Sequence, residues 1–332
     1  MEDKDIKNIE ENVEEEIKEE QPLEEQPKVE EEKPVEDKPY QVIIEDERKA
    51  LYKSYSNSRM VSNILMFVMV GGIVGVMFLV MQNQAYLKYI GFGLAGALVV
   101  GMLVYFFATR NKFPNKTKAY IAKISGLLNE RQFANQEYSE IKSDPEEKMP
   151  LTDVISDGIY AEANGINSRN IVRGVFREHH FLYAEIALLR PSSRKQQVPP
   201  LFVGKYVSIP NSLEFDGRIV LVYKNPKQPL DLPNAVSDLL TLEEKEDFVV
   251  YGPEGVDYKK TIGTETLSAL NRIKVEGNLL NLNVVFWKGH SAIYLSYDDT
   301  VMSVPFDKPF DYNSHEKSFS DLYTCLSAVV GK

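Results

Sequence analysis

Four histidines are the first side chains to consider as metal ligands or catalytic bases. His179 and His180 are adjacent, and adjacent residues of an extended strand point to opposite faces, so this pair does not form one metal-binding face. We expect both at the surface, in a turn between two strands. Neither they nor His290 and His315 belong to an H-E-x-x-H motif. The sequence therefore predicts no metal site.

Carboxylates cluster near predicted strand ends and helix starts. A general acid–base pair needs carboxyl groups that converge in a cleft. Aspartates at strand ends more often shape turns, and acids at helix starts are usually solvated. We favour these structural roles over catalysis. The residues concerned are Asp298, Asp299, Asp307 and Asp311, together with Glu243, Glu244, Glu246 and Asp247.

Motifs for nucleotide, hydrolase and nucleic-acid chemistry are also missing. The chain has no Walker-type glycine loop and no G-x-S-x-G sequence. Its single cysteine, Cys325, excludes an internal disulfide and lies in an apolar-periodic segment, which indicates a buried thiol rather than a nucleophile. We predict no catalytic, cofactor-binding or metal-binding residue, no cofactor and no nucleic-acid partner, and we favour a protein that is not an enzyme.

The strongest pattern is a pair of apolar runs at 61–87 and 89–109, neither of which contains a charged residue. Each is long enough for the about 20 apolar residues that cross a bilayer as a helix. We predict a two-helix transmembrane hairpin over 61–109. The G-x-G-x-x-G match that begins at Gly91 lies inside the second run, where it cannot form a nucleotide-binding turn.

Basic residues near the two spans predict their orientation, because lysine and arginine accumulate on the cytoplasmic side. The connecting loop, expected at Gln82 to Lys88, has one basic residue, Lys88, whereas nine basic residues flank the hairpin. Both termini are therefore expected in the cytoplasm of a cell with an inner membrane. The flanking residues are Arg48, Lys49, Lys53, Arg59, Arg110, Lys112, Lys116, Lys118 and Lys123.

Small residues recur at four-residue spacing within both spans. Such spacing places them on one helix face and allows close backbone contact. We favour packing within the hairpin, with lateral self-association as the alternative. The residues are Gly71 and Gly75 in the first span, and Gly93, Ala97 and Gly101 in the second.

The N-terminal segment 1–39 has 17 acidic and 6 basic residues, which gives it the whole formal charge of the protein, −11. Its Glu-rich stretches are separated by prolines, a composition typical of disordered chains. We expect a disordered acidic tail, with a short docking helix around Ile6 to Ile17 as the alternative. Residues 40–60 are predicted to form a juxtamembrane helix.

After the hairpin, residues 110–145 are expected to form a membrane-exit helix and linker, with a helix over 117–143. Residues 146–332 are expected to form an α+β cytoplasmic domain with a largely antiparallel sheet and flanking helices. Helices are predicted over 233–245, 264–274 and 315–330, and the other predicted elements are strands. Arg190, Arg194 and Lys195 form a basic loop that could contact lipid headgroups or a partner.

The order of several motifs in this domain resembles an uncharacterised bacterial membrane family, domain of unknown function thirty-one thirty-seven. The resemblance covers the hairpin and roughly residues 168–310. It implies a membrane-anchored domain and supplies no catalytic residue. The motifs are Phe181-x-x-Ala184-Glu185, Phe202-x-Gly204, Gly217, Phe248-x-Val250-Tyr251, Val256-Asp257, Lys259, Leu267 and Ala292-Ile293-Tyr294.

These features favour a membrane-tethered cytoplasmic interaction or scaffold module without catalytic activity. Its expected partners are the lipid bilayer and a protein, which could be a second copy of the chain. Two alternatives remain open: a membrane-associated hydrolase that acts at the inner leaflet, and a regulatory or assembly subunit of a larger membrane complex.

Overall fold

The computed structural model describes residues 39–81, 85–109, 112–144, 147–191, 198–225 and 238–331. The predicted acidic tail lies outside these residues, apart from Pro39. The helices are α1 (Tyr40–Met81), α2 (Ala85–Thr109), α3 (Lys112–Gln132), α4 (Leu151–Ile155), α5 (Tyr258–Ile262), α6 (Thr264–Leu270), α7 (Asp299–Met302) and α8 (Tyr312–Val330). The strands are β1 (Tyr138–Asp144), β2 (Gly165–Phe176), β3 (His179–Leu189), β4 (Phe202–Pro210), β5 (Arg218–Lys224), β6 (Leu240–Glu244), β7 (Phe248–Gly252), β8 (Leu279–Trp287) and β9 (His290–Tyr297).

Within the described residues, the strands form a single antiparallel sheet in the order β1-β2-β3-β4-β9-β8-β5-β7-β6. Side chains alternate between its faces, as the period of two of a strand requires. Tyr183 pairs with Val207 on one face, and Ala184 pairs with Tyr206 on the other. All four are buried, so both faces of the sheet belong to the core. The predicted α+β class with a largely antiparallel sheet is confirmed.

Helix α8 and other helices cover the face that contains Tyr183 and Val207, which we call the first face. Helix α4 and the loop that follows it cover the second face, which contains Ala184 and Tyr206. Helix α8 packs on the first face through Leu322, Cys325 and Leu326, which lie on one side of the helix because of their three- and four-residue spacing. Cys325 is a free, buried thiol, as predicted. On the second face, Val154 of α4 and Tyr160 of the loop pack against the sheet.

Helix α1 joins the predicted juxtamembrane helix and the first predicted span in one continuous helix of 42 residues. Its stretch Tyr40–Leu79 is long and apolar enough to cross a membrane, and no residue in its most apolar part is fully buried. Helix α2 contacts α1 but contains a shorter apolar stretch, Tyr89–Met102. By length and composition, one helix among the described residues therefore qualifies as a membrane span.

Two element predictions are wrong. The helix expected over 117–143 ends at Gln132, and Tyr138–Asp144 is strand β1, because Tyr138 packs on Phe133 and the strand pairs with β2. The helix expected over 233–245 is replaced at Leu240–Glu244 by strand β6, which pairs with β7. Residues 226–237 lie outside the described part of the chain.

Candidate functional site

Helix α3 lies between α1 and the β1 edge of the sheet. One side of α3 packs against Ile44 and Leu51 of α1 through Tyr120, Ile124 and Leu128. The next side lines a groove of about 840 Å³ against β1 and β2. The residues lining this α3 groove are Phe113, Pro114, Thr117, Lys118, Ile121, Ala122, Ser125 and Gly126 of α3, Ser143 of β1, and Arg169 and Asn170 of β2.

One end of the α3 groove lies next to the apolar part of α1. The Phe113 ring is 5.0 Å from that of Tyr55 and 5.6 Å from that of Phe306, centroid to centroid. Met60, the first residue of the dense run of exposed apolar side chains on α1, is five residues after Tyr55, about 8 Å further along the helix. From Phe113 to Gly126 the groove follows α3 for about 20 Å.

A β-bulge in β2 shapes the polar floor of the groove. The register between β2 and β3 shifts between Arg169 and Val172, and Asn170 has a φ of 55°, which asparagine tolerates better than most residues. The side chains of Asn129 and Asn170 exchange two hydrogen bonds of 2.6 and 3.1 Å. The bulge thus fixes the end of α3 against the sheet.

Arg169 occupies the boundary between the α3 groove and a smaller cavity of about 260 Å³. Its Nε donates to Glu185 Oε2 at 2.7 Å, and Nη2 donates to the carbonyl oxygen of Met302. Glu185 Oε1 accepts from Asn170 Nδ2 at 3.1 Å. Asp299 also lines the smaller cavity. Both carboxylate oxygens of Glu185 are therefore already hydrogen-bonded.

Behind Glu185, Lys205 is buried on the first face of the sheet, with 2% of its surface exposed. Its Nζ donates to Gln132 Oε1 at 3.1 Å and to Ser318 Oγ at 2.7 Å. Burial lowers the pKa of Lys205 to about 8, partly opposed by the carboxylates of Glu185 and Asp321. None of the direct hydrogen-bond acceptors is charged, and the rings of Phe319 and Tyr297 lie 4.9 and 5.7 Å from Nζ. Neutral acceptors and cation–π contacts compensate the buried cation only in part.

Helix α8 brings two more titratable groups toward Lys205. Burial, followed by the nearby Lys205 cation, lowers the pKa of His315 to about 4. Asp321 accepts hydrogen bonds from Tyr297 at 3.1 Å and from Lys317 at 3.2 Å. This buried cluster joins α3, the sheet and α8, and neither cavity contains Lys205 among its lining residues. Its arrangement suits a structural role.

Two of the eight carboxylates singled out in the sequence cap helices, whereas Glu243 and Glu244 form ion pairs with lysines. Asp298 accepts from the backbone nitrogen of Thr300 at the start of α7, and Asp311 accepts from that of Ser314 at the start of α8.

His179 and His180 begin strand β3, and the turn before them is formed by residues 177–178. Among the described residues, no group of three or more His, Cys, Asp and Glu side chains is arranged to hold a metal ion.

The five small residues of the predicted spans are exposed: Gly71, Gly75, Gly93, Ala97 and Gly101. A Cβ atom added to any of these four glycines would meet no atom within 4 Å. Packing within the helix pair does not use them. The half-buried residues of α1 in this region instead repeat at a 4-3-4-3 spacing and are Leu65, Met69, Gly72, Val76 and Leu79.

Of the predicted basic loop, Arg190 is half-buried at the end of β3. Arg194 and Lys195 lie outside the described residues. Sequence reasoning missed the roles of Arg169, Glu185 and Lys205. Lys205 could have been found, because it shares its strand face with Val207 and Ile209, where alternation predicts an apolar residue.

Comparison with known proteins gives little additional information. No family model and no curated protein matches the chain. The crystal structure of the mycobacterial trehalose monomycolate transport factor A, TtfA, is similar over 62% of this chain and 96% of its own, with 8% sequence identity and a TM-score of 0.35. A similarity this weak carries no conclusion about fold or function.

Proposed function

We propose that this chain is a membrane-tethered, non-catalytic interaction module. In this proposal α1 and α2 form a two-span hairpin in the inner membrane of a bacterium, both termini lie in the cytoplasm, and the sheet domain presents a surface to a partner. The observation that carries it is the continuity of α1, which runs from the core of the domain into a largely exposed apolar stretch. The resemblance to domain of unknown function thirty-one thirty-seven remains a prediction.

The junction between α1 and the domain supports a fixed tether rather than a loose linker. Arg48 forms an ion pair with Glu45 at 2.9 Å and donates to the carbonyl oxygen of Phe306. Glu45 also accepts from the backbone nitrogen of Phe310, and Tyr120 of α3 donates to the carbonyl oxygen of Pro305. These bonds connect α1, α3 and the 304–312 segment, so motion of the membrane helix would be transmitted to the domain.

Labelling of intact cells with an impermeant maleimide tests the proposed topology. In a Cys325→Ala background, Glu20→Cys and Pro200→Cys should react only after lysis, whereas Asn83→Cys in the connecting loop should react in intact cells. The reason is the excess of basic residues on the flanks of the hairpin. Labelling of Glu20→Cys or Pro200→Cys before lysis would contradict the proposed orientation.

The exposed small residues of α1 and α2 make a second copy of the chain the best-supported protein partner within this proposal. Small residues on a helix face allow close helix contacts in lipid. We expect the double variant Gly71→Leu and Gly75→Leu to lower the oligomer fraction on blue-native gels. The fold should survive, since added Cβ atoms meet nothing within 4 Å. Val70→Leu with Ile73→Leu, at exposed positions on another face of α1, is the matched control. Unchanged migration of both variants would exclude this face as the contact.

A further inference from the structure

We propose that the α3 groove binds an acyl chain of an anionic phospholipid from the adjacent bilayer leaflet, with the anionic headgroup beside Lys118 and Arg169. This inference rests on the proposed function, because it requires the domain to be held at a membrane.

The size and lining of the groove fit such a chain. Its volume of about 840 Å³ lies in the range of about 300–1,000 Å³ typical of small-molecule sites. Phe113, Pro114, Ile121 and Ala122 supply an apolar wall along α3, and Pro114 and Ala122 are exposed. Gly126 leaves the far end open, because a Cβ atom there would meet nothing within 4 Å.

The position of the groove gives a lipid a route into it. Its Phe113 end lies in the aromatic cluster with Tyr55 and Phe306, next to the start of the exposed apolar part of α1. Ser56, Asn57, Ser58 and Arg59 are exposed between Tyr55 and Met60. This stretch would therefore lie at the depth of the headgroups, and an acyl chain would pass it before it reaches the apolar wall of α3. Aromatic residues at this depth are typical of the membrane interface.

Charge selects the class of lipid. The charged side chains that line the groove, Lys118 and Arg169, are both cations. Arg169 is 42% exposed although Glu185 partly neutralises it, and Lys118 is exposed. An anionic headgroup would gain charge-assisted hydrogen bonds from these two side chains, and a zwitterionic one would gain less.

Photochemical labelling of the full chain tests this inference. The purified protein is reconstituted into vesicles of equal parts phosphatidylcholine and phosphatidylglycerol that contain a trace of phosphatidylglycerol with a diazirine at the end of one acyl chain. After irradiation, labelled peptides are mapped by mass spectrometry. We expect label on α3 and on the β2 peptide that contains Arg169, in addition to α1 and α2.

Three variants sharpen the test. Gly126→Leu fills the groove and should lower the groove label about tenfold. Ala119→Leu, at an exposed position of α3 that does not line the groove, is the matched control and should leave the label unchanged. Lys118→Gln should lower the preference for the phosphatidylglycerol probe over a phosphatidylcholine probe about fivefold. Thermal melting of each variant checks that the fold is retained.

The outcomes separate this inference from the proposed function. If the label is confined to α1 and α2, and the protein remains with the vesicles, lipid binding in the α3 groove is contradicted and the membrane tether is not. Protein that does not remain with the vesicles would overturn the tether itself. Equal labelling by the phosphatidylcholine probe would overturn the headgroup selectivity. A chemical cross-link from the groove to residues 1–38, without lipid label, would assign the groove to the acidic tail instead.

Discussion

Lys205→Met should stabilise the protein by about 1–2 kcal/mol at pH 7, and the gain should shrink as the pH rises. Burial lowers the pKa of Lys205 from 10.5 to about 8. At pH 7 the folded state therefore carries a buried cation at a cost of about 3 kcal/mol, as an order of magnitude. The variant loses the hydrogen bonds to Gln132 and Ser318 and the cation–π contacts with Phe319 and Tyr297, which together offset about 1–2 kcal/mol of this gain.

The sign of the pH dependence follows from proton linkage. Between about pH 8 and 10.5 the unfolded chain retains the Lys205 proton and the folded chain releases it, so the stability of the unmodified protein rises with pH in this window. Below pH 8 both states are protonated and this contribution is constant. Glu185, Asp321 and His315 face the same cluster. The pKa of His315, about 4, lies below this window, so the loss of the Lys205 cation does not change its protonation between pH 7 and pH 10.

Thermal unfolding in detergent at pH 7 and pH 10 checks this prediction. The difference between the melting temperatures of Lys205→Met and the unmodified chain should be positive at pH 7 and smaller at pH 10. Lys260→Met, at an exposed position, should show no such change. An equal difference at both pH values would show that the charge of Lys205 does not determine the effect.

Gly204→Ala should destabilise the protein by about 3 kcal/mol, because overpacking of this severity exceeds the usual cost of one added methyl group. The new Cβ would overlap the backbone carbonyl oxygen of Leu295 on the paired strand β9 and would lie 2.7 Å from Phe202 Cζ. A backbone atom in the middle of a sheet cannot move aside without breaking the pairing between β4 and β9.

Gly126→Ala is the matched control for this substitution. Gly126 lies inside α3 with no atom within 4 Å of an added Cβ, so alanine should raise stability by up to about 1 kcal/mol through its higher helix propensity. Melting temperatures of the two variants in the same detergent should therefore move in opposite directions. A Gly204→Ala variant as stable as the unmodified protein would contradict the described contact between β4 and β9.

The central strands could be predicted from the sequence, and the edges could not. Strands β8 and β9 are rich in aliphatic and aromatic residues on either side of Lys288-Gly289, which predicts a hairpin. Edge strands β1 and β6 are mostly exposed and polar, so they resemble helix or loop sequence when read alone. Tertiary pairing with β2 and β7 determined their conformation.

The α3 groove was beyond sequence reasoning for a related reason. Its wall belongs to one helix, but its floor depends on a β-bulge at Asn170 and on the reciprocal hydrogen bonds with Asn129, 41 residues away in the chain. Periodicity reports which face of α3 is apolar and not what lies opposite. The burial of Lys205 could, by contrast, be predicted locally, because it lies on the same strand face as apolar residues.

The most direct test of the central claim, that α1 anchors the domain in a membrane, is flotation of membranes after alkaline carbonate extraction. An integral chain remains with the lipid after this treatment, whereas a protein attached only to the surface is released and an aggregate sediments. We expect the full-length chain to float with the lipid fraction, because residues 61–87 contain no charged side chain. Recovery of the chain in the carbonate supernatant would contradict the account.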